Sequence, residues 1–399
     1  CQSSSAGESG RGFNSNHDDA TCRPGNIDSR TSRRAQGVSR SQLDNSRTMS
    51  APRDDGVTLW IHPDRLMTNL TQVQRFASDA NLILDVVTKV YGGHVPILGL
   101  LHELGVDSFA DAHLLNLKRL RSISPAADLS MMRNVLSCDE SNAVDLRLRS
   151  YLVSNLDGVR ALSAELEARG QRSAAAVPVV TVDDREGLSP GSVARMLADI
   201  RTFEPLESDG FVATFGCRGG QHLGPDAVET EVIRTVEDCR RHAPEAQILL
   251  GGSCILNCSA STLRRLGGKR WRVGEAIALG ADGLGNSLGP LRDDVFVISA
   301  EVIQVLSSGV GHEAPGSRAL VAVGDQDVDS RWLRPVEPHL RVQFATSDHL
   351  MIKVGLGDRR PRVGERMAFR PGYQTLLRAF ISPYVTKKIC DRRGQHDDN

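Results

Sequence analysis

From residue 57 onward, short apolar runs alternate with amphipathic stretches along most of the chain. The apolar runs have the length of strands, and the longer stretches repeat apolar residues at helical spacing. In "LDGVRALSAELEARG" the apolar positions are Leu156, Val159, Leu162 and Leu166. The predicted strands cover residues 82–88, 107–110, 128–133, 150–154, 177–182, 209–215, 246–250 and 270–273. The predicted helices lie near residues 95–104, 113–122, 139–147, 156–169, 191–203, 226–242 and 259–266.

Strand and helix alternate eight times, which predicts parallel strands joined by right-handed crossovers. Closing eight such strands gives a (β/α)8 TIM-type barrel of about 250 residues, and residues 56–290 have close to that length. A doubly wound open sheet is the alternative α/β fold, because alternation alone does not require closure.

After residue 291 the pattern changes to β-rich runs separated by Gly, Pro and charged turns. These runs are "DVFVISAEVIQVL", "SRALVAVG", "LRVQFATS", "HLMIKVG" and "RMAFRP". They predict a second, mainly β domain over residues 291–390, with a short helix near 373–380. The strand 57–61, "VTLWI", precedes the first barrel helix and is expected to join this sheet.

The two ends of the chain have a different composition. Residues 1–55 are rich in Ser, Arg, Asp, Asn and Gly and nearly lack apolar residues. Such a segment buries too little surface to fold, so we expect a disordered extension there. The last residues, 391–399, are expected to form a disordered tail.

Composition narrows the class of protein. With 24% charged and 40% hydrophobic residues in a chain of 399, the protein has the make-up of a soluble globular protein. Its formal net charge of -1 gives no global field that favours nucleic acid or an anionic membrane surface. Aromatic residues are only 4%, which argues against a stacking platform for single-stranded nucleic acid. The chain contains no run of about 18 apolar residues, so the sequence predicts no membrane span.

The eight cysteines are scattered, which favours a reducing cytoplasm over a disulfide-stapled domain. Cys254 and Cys258 are spaced C-x3-C, but no second Cys/His pair lies at zinc-finger spacing. Two buried thiols are therefore expected at these positions rather than a metal site.

Polar residues follow several of the predicted barrel strands, and a barrel of this kind carries its chemistry at the carboxyl ends of its strands. Lys89 closes the first strand, where it could also extend its amine to solvent. The last two strands are followed by "GGSC", which holds Ser253, and by "RVGE", which holds Arg272, Gly274 and Glu275. An anion can be bound there by backbone amides, a hydroxyl and the start of a helix. In such barrels the loops after the last two strands commonly hold phosphate.

A lysine that faces a phosphate site predicts pyridoxal 5'-phosphate (PLP), because its amine can form an imine with an aldehyde. On this interpretation Lys89 holds the cofactor ring. Ser253 and the amides of Gly274 and Glu275 hold the phosphate.

These residues resemble the alanine-racemase superfamily of PLP enzymes, and most closely its ornithine-racemase-like branch. The segments that carry the resemblance are "WIHPDRLMTNL", "VVTKV", "FADAHLLNLKRL", "DDREG", "FGCRGG", "LGGS", "WRVGEAIALG", "VGDQDVD", "TSDHLMIKV" and "FRPGYQTLLRAFISPYV". Their order and spacing match over roughly residues 57–388. The resemblance implies an eight-stranded barrel, a β-rich carboxyl-terminal domain and a head-to-tail homodimer with shared active sites.

The resemblance also assigns roles to single residues. Lys89 matches the cofactor lysine, and Arg272 matches an arginine that faces the pyridine nitrogen. Ser253 and Gly274 match phosphate-loop positions. Tyr373, in "PGYQTLL", resembles a carboxyl-terminal tyrosine that reaches the phosphate.

Other positions match less directly. Arg133 resembles an arginine near the ring hydroxyl. Asp325, in "VGDQDVD", stands where alanine racemases carry a catalytic tyrosine, which the ornithine-racemase-like branch also lacks. Ala112 and His113 stand where that branch usually has Ser-Arg, and "DDREG" looks shortened. These differences concern the substrate more than the cofactor.

The predicted function is that of an amino-acid racemase, an isomerase that interconverts L- and D-amino acids. A racemase needs one base on each face of the reacting carbon. Lys89 serves one face. Asp348 and His349, in "TSDHL" and supplied by the partner subunit, are candidates for the other; His349 could equally be a surface strand residue. Asp325 and Cys217 are further candidates.

Two other functions stay open. A decarboxylase of the same barrel type is disfavoured because such enzymes place a carboxylate where Arg272 stands. A non-catalytic PLP-binding protein would keep Lys89, Ser253 and Arg272 without a second base, but the long β domain argues against it.

Overall fold

The computed structural model describes residues 56–134, 140–171, 174–180, 186–208, 210–216, 224–306, 317–355 and 360–390. The predicted extension 1–55, the predicted tail 391–399 and Cys217 lie outside these residues. The predicted boundary after residue 290 stays a prediction.

Nine parallel strands form the first sheet. They are β2 (Ile83–Val87), β3 (Ser108–Asp111), β4 (Asp128–Met131), β5 (Ser150–Val153), β6 (Ala174–Val180), β7 (Leu206–Glu207), β8 (Phe211–Thr214), β9 (Ile248–Gly251) and β10 (Gly268–Val273). Pairing runs from β2 through β3, β4, β5, β6, β8 and β9 to β10, and β10 pairs with β2 again. The short strand β7 extends only β6. The eight-stranded barrel is therefore confirmed, and the open sheet is wrong.

Helices connect the barrel strands. They are α1 (Pro63–Asp79), α2 (Val95–Glu103), α3 (Leu114–Ile123), α4 (Glu140–Asp145), α5 (Leu156–Ala168), α6 (Pro190–Ile200), α7 (Pro225–His242), α8 (Ala260–Arg265) and α9 (Glu275–Leu279). Proline stands in the first turn of α1, α2, α6 and α7, where its missing N–H costs nothing. The side chain of Asn155 caps α5 by accepting a hydrogen bond from the Gly158 amide at 2.7 Å.

The carboxyl-terminal part forms a mainly antiparallel sheet. Its strands are β11 (Phe296–Leu306), β12 (Arg318–Val321), β13 (Leu333–Pro335), β14 (Leu340–Ala345), β15 (Leu350–Val354), β16 (Arg366–Pro371) and β17 (Val385–Ile389). The helix α10 (Tyr373–Ile381) follows β16. The first described strand, β1 (Val57–Ile61), pairs with β11 and with β17, which confirms that it belongs to this sheet.

The barrel interior is divided into an apolar side and a polar side. The apolar side chains come from β5, β6, β8 and β9 and are Leu152, Ala175, Val177, Val179, Val212 and Leu249. The polar side chains lie toward the amino ends of β2, β3, β4, β5 and β10. We call this set the buried ionic network; it consists of Asp85, Ser108, Ser130, Arg149, Ser150 and Arg270.

Asp85 is the centre of the buried ionic network and is fully buried. Its carboxylate accepts hydrogen bonds from Arg270 Nε at 3.1 Å and from Ser108 Oγ at 2.6 Å. Arg149 Nη2 lies 3.4 Å from the same carboxylate and 2.7 Å from Ser130 Oγ. The charges are thus compensated where water cannot reach them.

Within the described part of the chain, no helix combines the length and apolar character needed to cross a membrane. Cys254 and Cys258 are both buried, as expected. Among the residues that the structure describes, no group of three or more His, Cys, Asp or Glu side chains is arranged to hold a metal ion.

Candidate active site

Lys89 is held at the barrel mouth by a short turn. The strand β2 ends at Val87, and residues Lys89–Tyr91 form a single 3-10 turn. Buried Thr88, between them, donates from Oγ1 to Asp111 Oδ2 at 2.7 Å. Asp111 also accepts from Asn116 Nδ2 at 3.0 Å. Burial raises the pKa of the Asp111 carboxyl, and these hydrogen bonds oppose the rise.

Two glycines close the same turn. Gly92 has φ +55° and Gly93 has φ +72°, a region that favours glycine. A Cβ at Gly92 would lie 2.5 Å from Ile381 Cγ2, at the end of α10. The Lys89 turn is therefore clamped between the barrel and the carboxyl-terminal helix.

The amine of Lys89 remains available at the mouth. Its side chain is half-buried and, among the described residues, makes no hydrogen bond or ion pair. Its Nζ atom lies 6.0 Å from the ring centroid of Tyr373, the first residue of α10. The structure thus brings together the lysine and the tyrosine that the sequence singled out.

Arg272 lies on β10, directly opposite Asp85 in the β2–β10 register, and is 4% exposed. Its Nη2 atom donates to Thr214 Oγ1, at the end of β8, at 3.3 Å. A Cβ at Gly251 would lie 2.8 Å from Thr214 Oγ1, so glycine there gives the hydroxyl its space. Sequence reasoning missed Thr214; the alternation that turns Val212 inward also turns Thr214 inward.

The two predicted phosphate loops meet. Ser253 is buried after Gly252, whose φ is +116°. Ser253 Oγ accepts a hydrogen bond from the Ala276 amide at 2.9 Å. A Cβ at Gly274 would lie 2.9 Å from the carbonyl oxygen of Val87, so this loop rests directly on the end of β2. Ser253, Gly274 and Lys89 therefore lie on adjacent segments at the same end of the barrel.

Glu275 begins α9 in the second of these loops and is half-buried. Its pKa is raised to about 7, first by burial and then by the negative charge of Asp282, while Lys89 acts against the rise. Asp282 itself is fully buried. Its carboxylate accepts from the Leu284 amide at 2.8 Å and from Asn257 Nδ2 at 3.2 Å, which ties the segment after α9 to the Ser253 loop. Sequence reasoning missed Asp282, although an Asp between glycines in "GADGLGNS" is typical of such a turn.

Arg133 and the predicted second base lie on elements other than those that carry this cluster. Arg133 lies two residues beyond β4, which is two strands away from β2 in the barrel wall. Asp348 and His349 lie in the turn between β14 and β15, where Asp348 is exposed and His349 is half-buried. Asp325 lies beside that turn, since its amide donates to the Thr346 carbonyl at 3.0 Å.

Comparison with known proteins gives a consistent result. The family model described as alanine racemase, N-terminal domain, matches residues 61–281. A lysine racemase of Thermotoga maritima is 27% identical over 352 residues, covering 82% of this chain and 97% of that protein. An ornithine racemase of Acetoanaerobium sticklandii is 26% identical over 348 residues, with the same coverage of 82% and 97%.

Solved structures show the same architecture. An alanine racemase from Bartonella henselae, determined with covalently bound pyridoxal phosphate, has a TM-score of 0.66 at 14% identity. The match covers 84% of this chain and 99% of that chain. At this identity the likeness supports the fold alone.

The fold and the cluster define a (β/α)8-barrel protein with a mainly β carboxyl-terminal domain and a lysine at the barrel mouth. The chain belongs to the alanine racemase N-terminal domain family, whose model covers more than half of its length. The expectation of an amino-acid racemase, an isomerase, is confirmed by these relatives.

Proposed function

We propose that the protein interconverts the L- and D-forms of an amino acid with PLP held on Lys89. One observation carries the proposal. Lys89, Ser253 and Gly274 follow β2, β9 and β10 at the same end of the barrel, and the ring centroid of Tyr373 lies 6.0 Å from Lys89 Nζ. Arg272 points into the barrel from the strand that pairs with β2.

The residues present fit the cofactor. The Lys89 amine suits its aldehyde, and the Ser253 hydroxyl with the backbone around Gly274 suits its phosphate. Arg272 can only donate hydrogen bonds, so it would leave the ring nitrogen unprotonated. When bound, PLP supplies an electron sink that makes the α-hydrogen of the amino acid acidic.

The side chains of this protein then move the proton. The Lys89 amine removes or returns it on one face of the α-carbon. A second group must act on the opposite face, which one lysine cannot reach. We assign that role to Asp348 or His349 of a second copy of the chain; both lie in the turn between β14 and β15 of the carboxyl-terminal sheet.

Exposed apolar side chains support a homodimer. Ile381 is 56% exposed beside Gly92 of the Lys89 turn, and Trp332 is 58% exposed beside Gly372. Tyr384, 64% exposed, follows α10. These exposed side chains lie at or next to the two ends of α10, and large exposed apolar side chains are common at interfaces. A second copy bound here would cover the region next to the barrel mouth. The cytoplasmic location stays a prediction.

Racemisation is tested directly with the purified protein and added PLP. L- and D-forms of lysine, ornithine and alanine are incubated in deuterated water, and the products are separated by chiral chromatography. We expect inversion of at least one of them, with deuterium at the α-carbon. Borohydride reduction and peptide mapping should place the label on Lys89. Label on another lysine, or no inversion of any amino acid, would contradict the proposal.

The shared site is tested with mixed dimers. A Lys89→Ala subunit combined with an Asp348→Asn or His349→Ala subunit should regain activity, because one site of the mixture is intact. Lys353→Ala, at an exposed strand position, is the matched control and should retain full activity. If no mixture regains activity, the second base lies elsewhere or each subunit works alone.

A further inference from the structure

Glu275 puts a carboxyl group where the loops after β9 and β10 meet. A Cβ at Gly283 would lie 3.4 Å from Glu275 Oε2, so the side chain packs against the segment after α9. The next amide, that of Ala276, is bound by Ser253 Oγ at 2.9 Å. This hydrogen bond ties the backbone that carries Glu275 to the Ser253 loop.

Among the described residues, charged groups act on this carboxyl from two neighbouring segments. Lys89 faces it from the turn after β2, and Asp282 faces it from the segment after α9. The Asp282 carboxylate accepts hydrogen bonds from the Leu284 amide, Asn257 Nδ2 and both nitrogens of Asn286. These hydrogen bonds hold the Asp282 carboxylate in place beside Glu275, whose pKa its negative charge raises.

We propose that Glu275 couples binding of the cofactor phosphate to the uptake of a proton. The inference rests on the proposed PLP site but not on racemisation. With the carboxyl protonated, the loop presents amides and a hydroxyl to the phosphate without an opposing charge. With the carboxyl ionised, the negative charges of Glu275 and the phosphate share a partly buried site and repel each other.

The direction of the pH effect follows from linkage. A bound phosphate anion makes ionisation of Glu275 less favourable, so the bound state holds the proton more tightly than the free state. Phosphate affinity must then fall as pH rises through the titration of this carboxyl. That titration lies near neutral pH because the Glu275 pKa is about 7.

The test compares the unaltered protein with Glu275→Gln, which keeps the shape and removes the charge. The dissociation constants of PLP and of pyridoxal, which lacks the phosphate, are measured by absorbance titration between about pH 6 and about pH 9. We expect PLP affinity of the unaltered protein to fall about tenfold more across this range than that of Glu275→Gln. Pyridoxal should show the same pH profile in both proteins.

Proton uptake gives a second measurement. Calorimetry of PLP binding in buffers of different ionisation enthalpy should show greater proton uptake by the unaltered protein than by Glu275→Gln near neutral pH. Glu275→Asp, which keeps a titrating group, should keep the steeper profile. Glu103→Gln, an exposed position on α2, is the matched control and should behave as the unaltered protein.

The outcomes separate this inference from the proposed function. Identical pH profiles and proton uptake in the unaltered protein and Glu275→Gln would overturn the inference alone. Failure of the unaltered protein to bind PLP at any pH would overturn both the cofactor site and the inference.

Discussion

The strands β2 and β10 carry charged side chains at two depths of the same barrel, and the two depths are organised differently. At the lower depth, Asp85 and Arg270 pair directly, with 0% and 8% of their side chains exposed. At the upper depth, Lys89 makes no hydrogen bond or ion pair among the described residues, and Arg272 donates to a neutral hydroxyl. Similar residue types on the same strands therefore serve two purposes.

The difference follows from the cost of burying charge. An unpaired charge in the interior is expensive, so the lower residues are stable only as a mutually compensated set. Lys89 at the mouth is only half-buried, which lowers that cost and leaves its amine accessible to a ligand. Charge in the lower barrel is thus structural, whereas charge at the mouth is suited to binding and proton transfer.

The largest expected effect is on activity at the mouth. Lys89→Ala should reduce racemisation by about a thousandfold or more, because it removes both the cofactor link and one base. Its melting temperature without ligand should stay close to that of the unaltered protein, since no ion pair is lost. Steady-state kinetics and thermal unfolding measure the two effects. A large loss of stability would show that the charge of Lys89 is structural, like that of the lower barrel.

Asp85→Asn should give the opposite result to Lys89→Ala, because it should reduce the stability of the fold. Removing this charge takes away the carboxylate that buried Arg270 contacts directly, which should lower the free energy of unfolding by about 3–5 kcal/mol. Urea denaturation measures this value. Asp128→Asn, at a carboxylate with 54% side-chain exposure that lies 3.8 Å from Arg270, is the matched control and should cost far less. Equal effects of the two substitutions would contradict the proposed structural role of Asp85.

Glu275→Gln should change how stability depends on pH in the ligand-free protein. The folded-state pKa of about 7 lies above the ordinary value of 4.5, so the folded state holds the proton more tightly than the unfolded state. The stability that this carboxyl contributes is fully present below pH 4.5 and is lost as pH rises through about 7.

Relative to the unaltered protein, Glu275→Gln should therefore gain about 2 kcal/mol of unfolding free energy between about pH 5 and about pH 8. Urea denaturation at several pH values measures the gain. A difference between the two proteins that stays constant with pH would show that the carboxyl does not titrate in this range.

Thr214→Val has the smallest expected effect. It removes the hydroxyl that accepts from Arg272 at 3.3 Å while keeping the shape of the side chain. The loss of one such hydrogen bond should cost about 1 kcal/mol, or roughly fivefold in PLP affinity or turnover. Thr214→Ser keeps the hydroxyl and should retain most of both. If the two variants behave alike, the hydroxyl does not position Arg272.

The local pattern of apolar and polar residues was sufficient to predict most strands and helices of the barrel. The predicted strand 107–110 differs by one residue at each end from β3, because apolar alternation and turn residues mark such boundaries locally. The predicted strand 177–182 was less accurate. The strand β6 begins at Ala174, since the run of alanines carries little strand preference and pairing with β5 sets its start.

Contacts between distant residues were not predictable in this way. The pair Asp85–Arg270 joins β2 to β10, which become neighbours only when the barrel closes. Lys89, Ser253, Gly274 and Tyr373 were recognised because they stand at strand and helix ends in quoted motifs. In the proposed shared site, the position of Asp348 relative to Lys89 would depend on a second copy of the chain, which a single sequence cannot supply.

The pairing of β1 with β11 and β17 has a consequence for synthesis on the ribosome. The strand Val57–Ile61 emerges first, but its partners emerge only after the whole barrel has been made. The carboxyl-terminal sheet is thus begun before the barrel and completed after it, as if the barrel were inserted into another domain. Pairing over such a long separation in sequence is slow to form. A nascent chain halted after the barrel would expose β1 as an unpaired edge, a ready template for joining neighbouring chains.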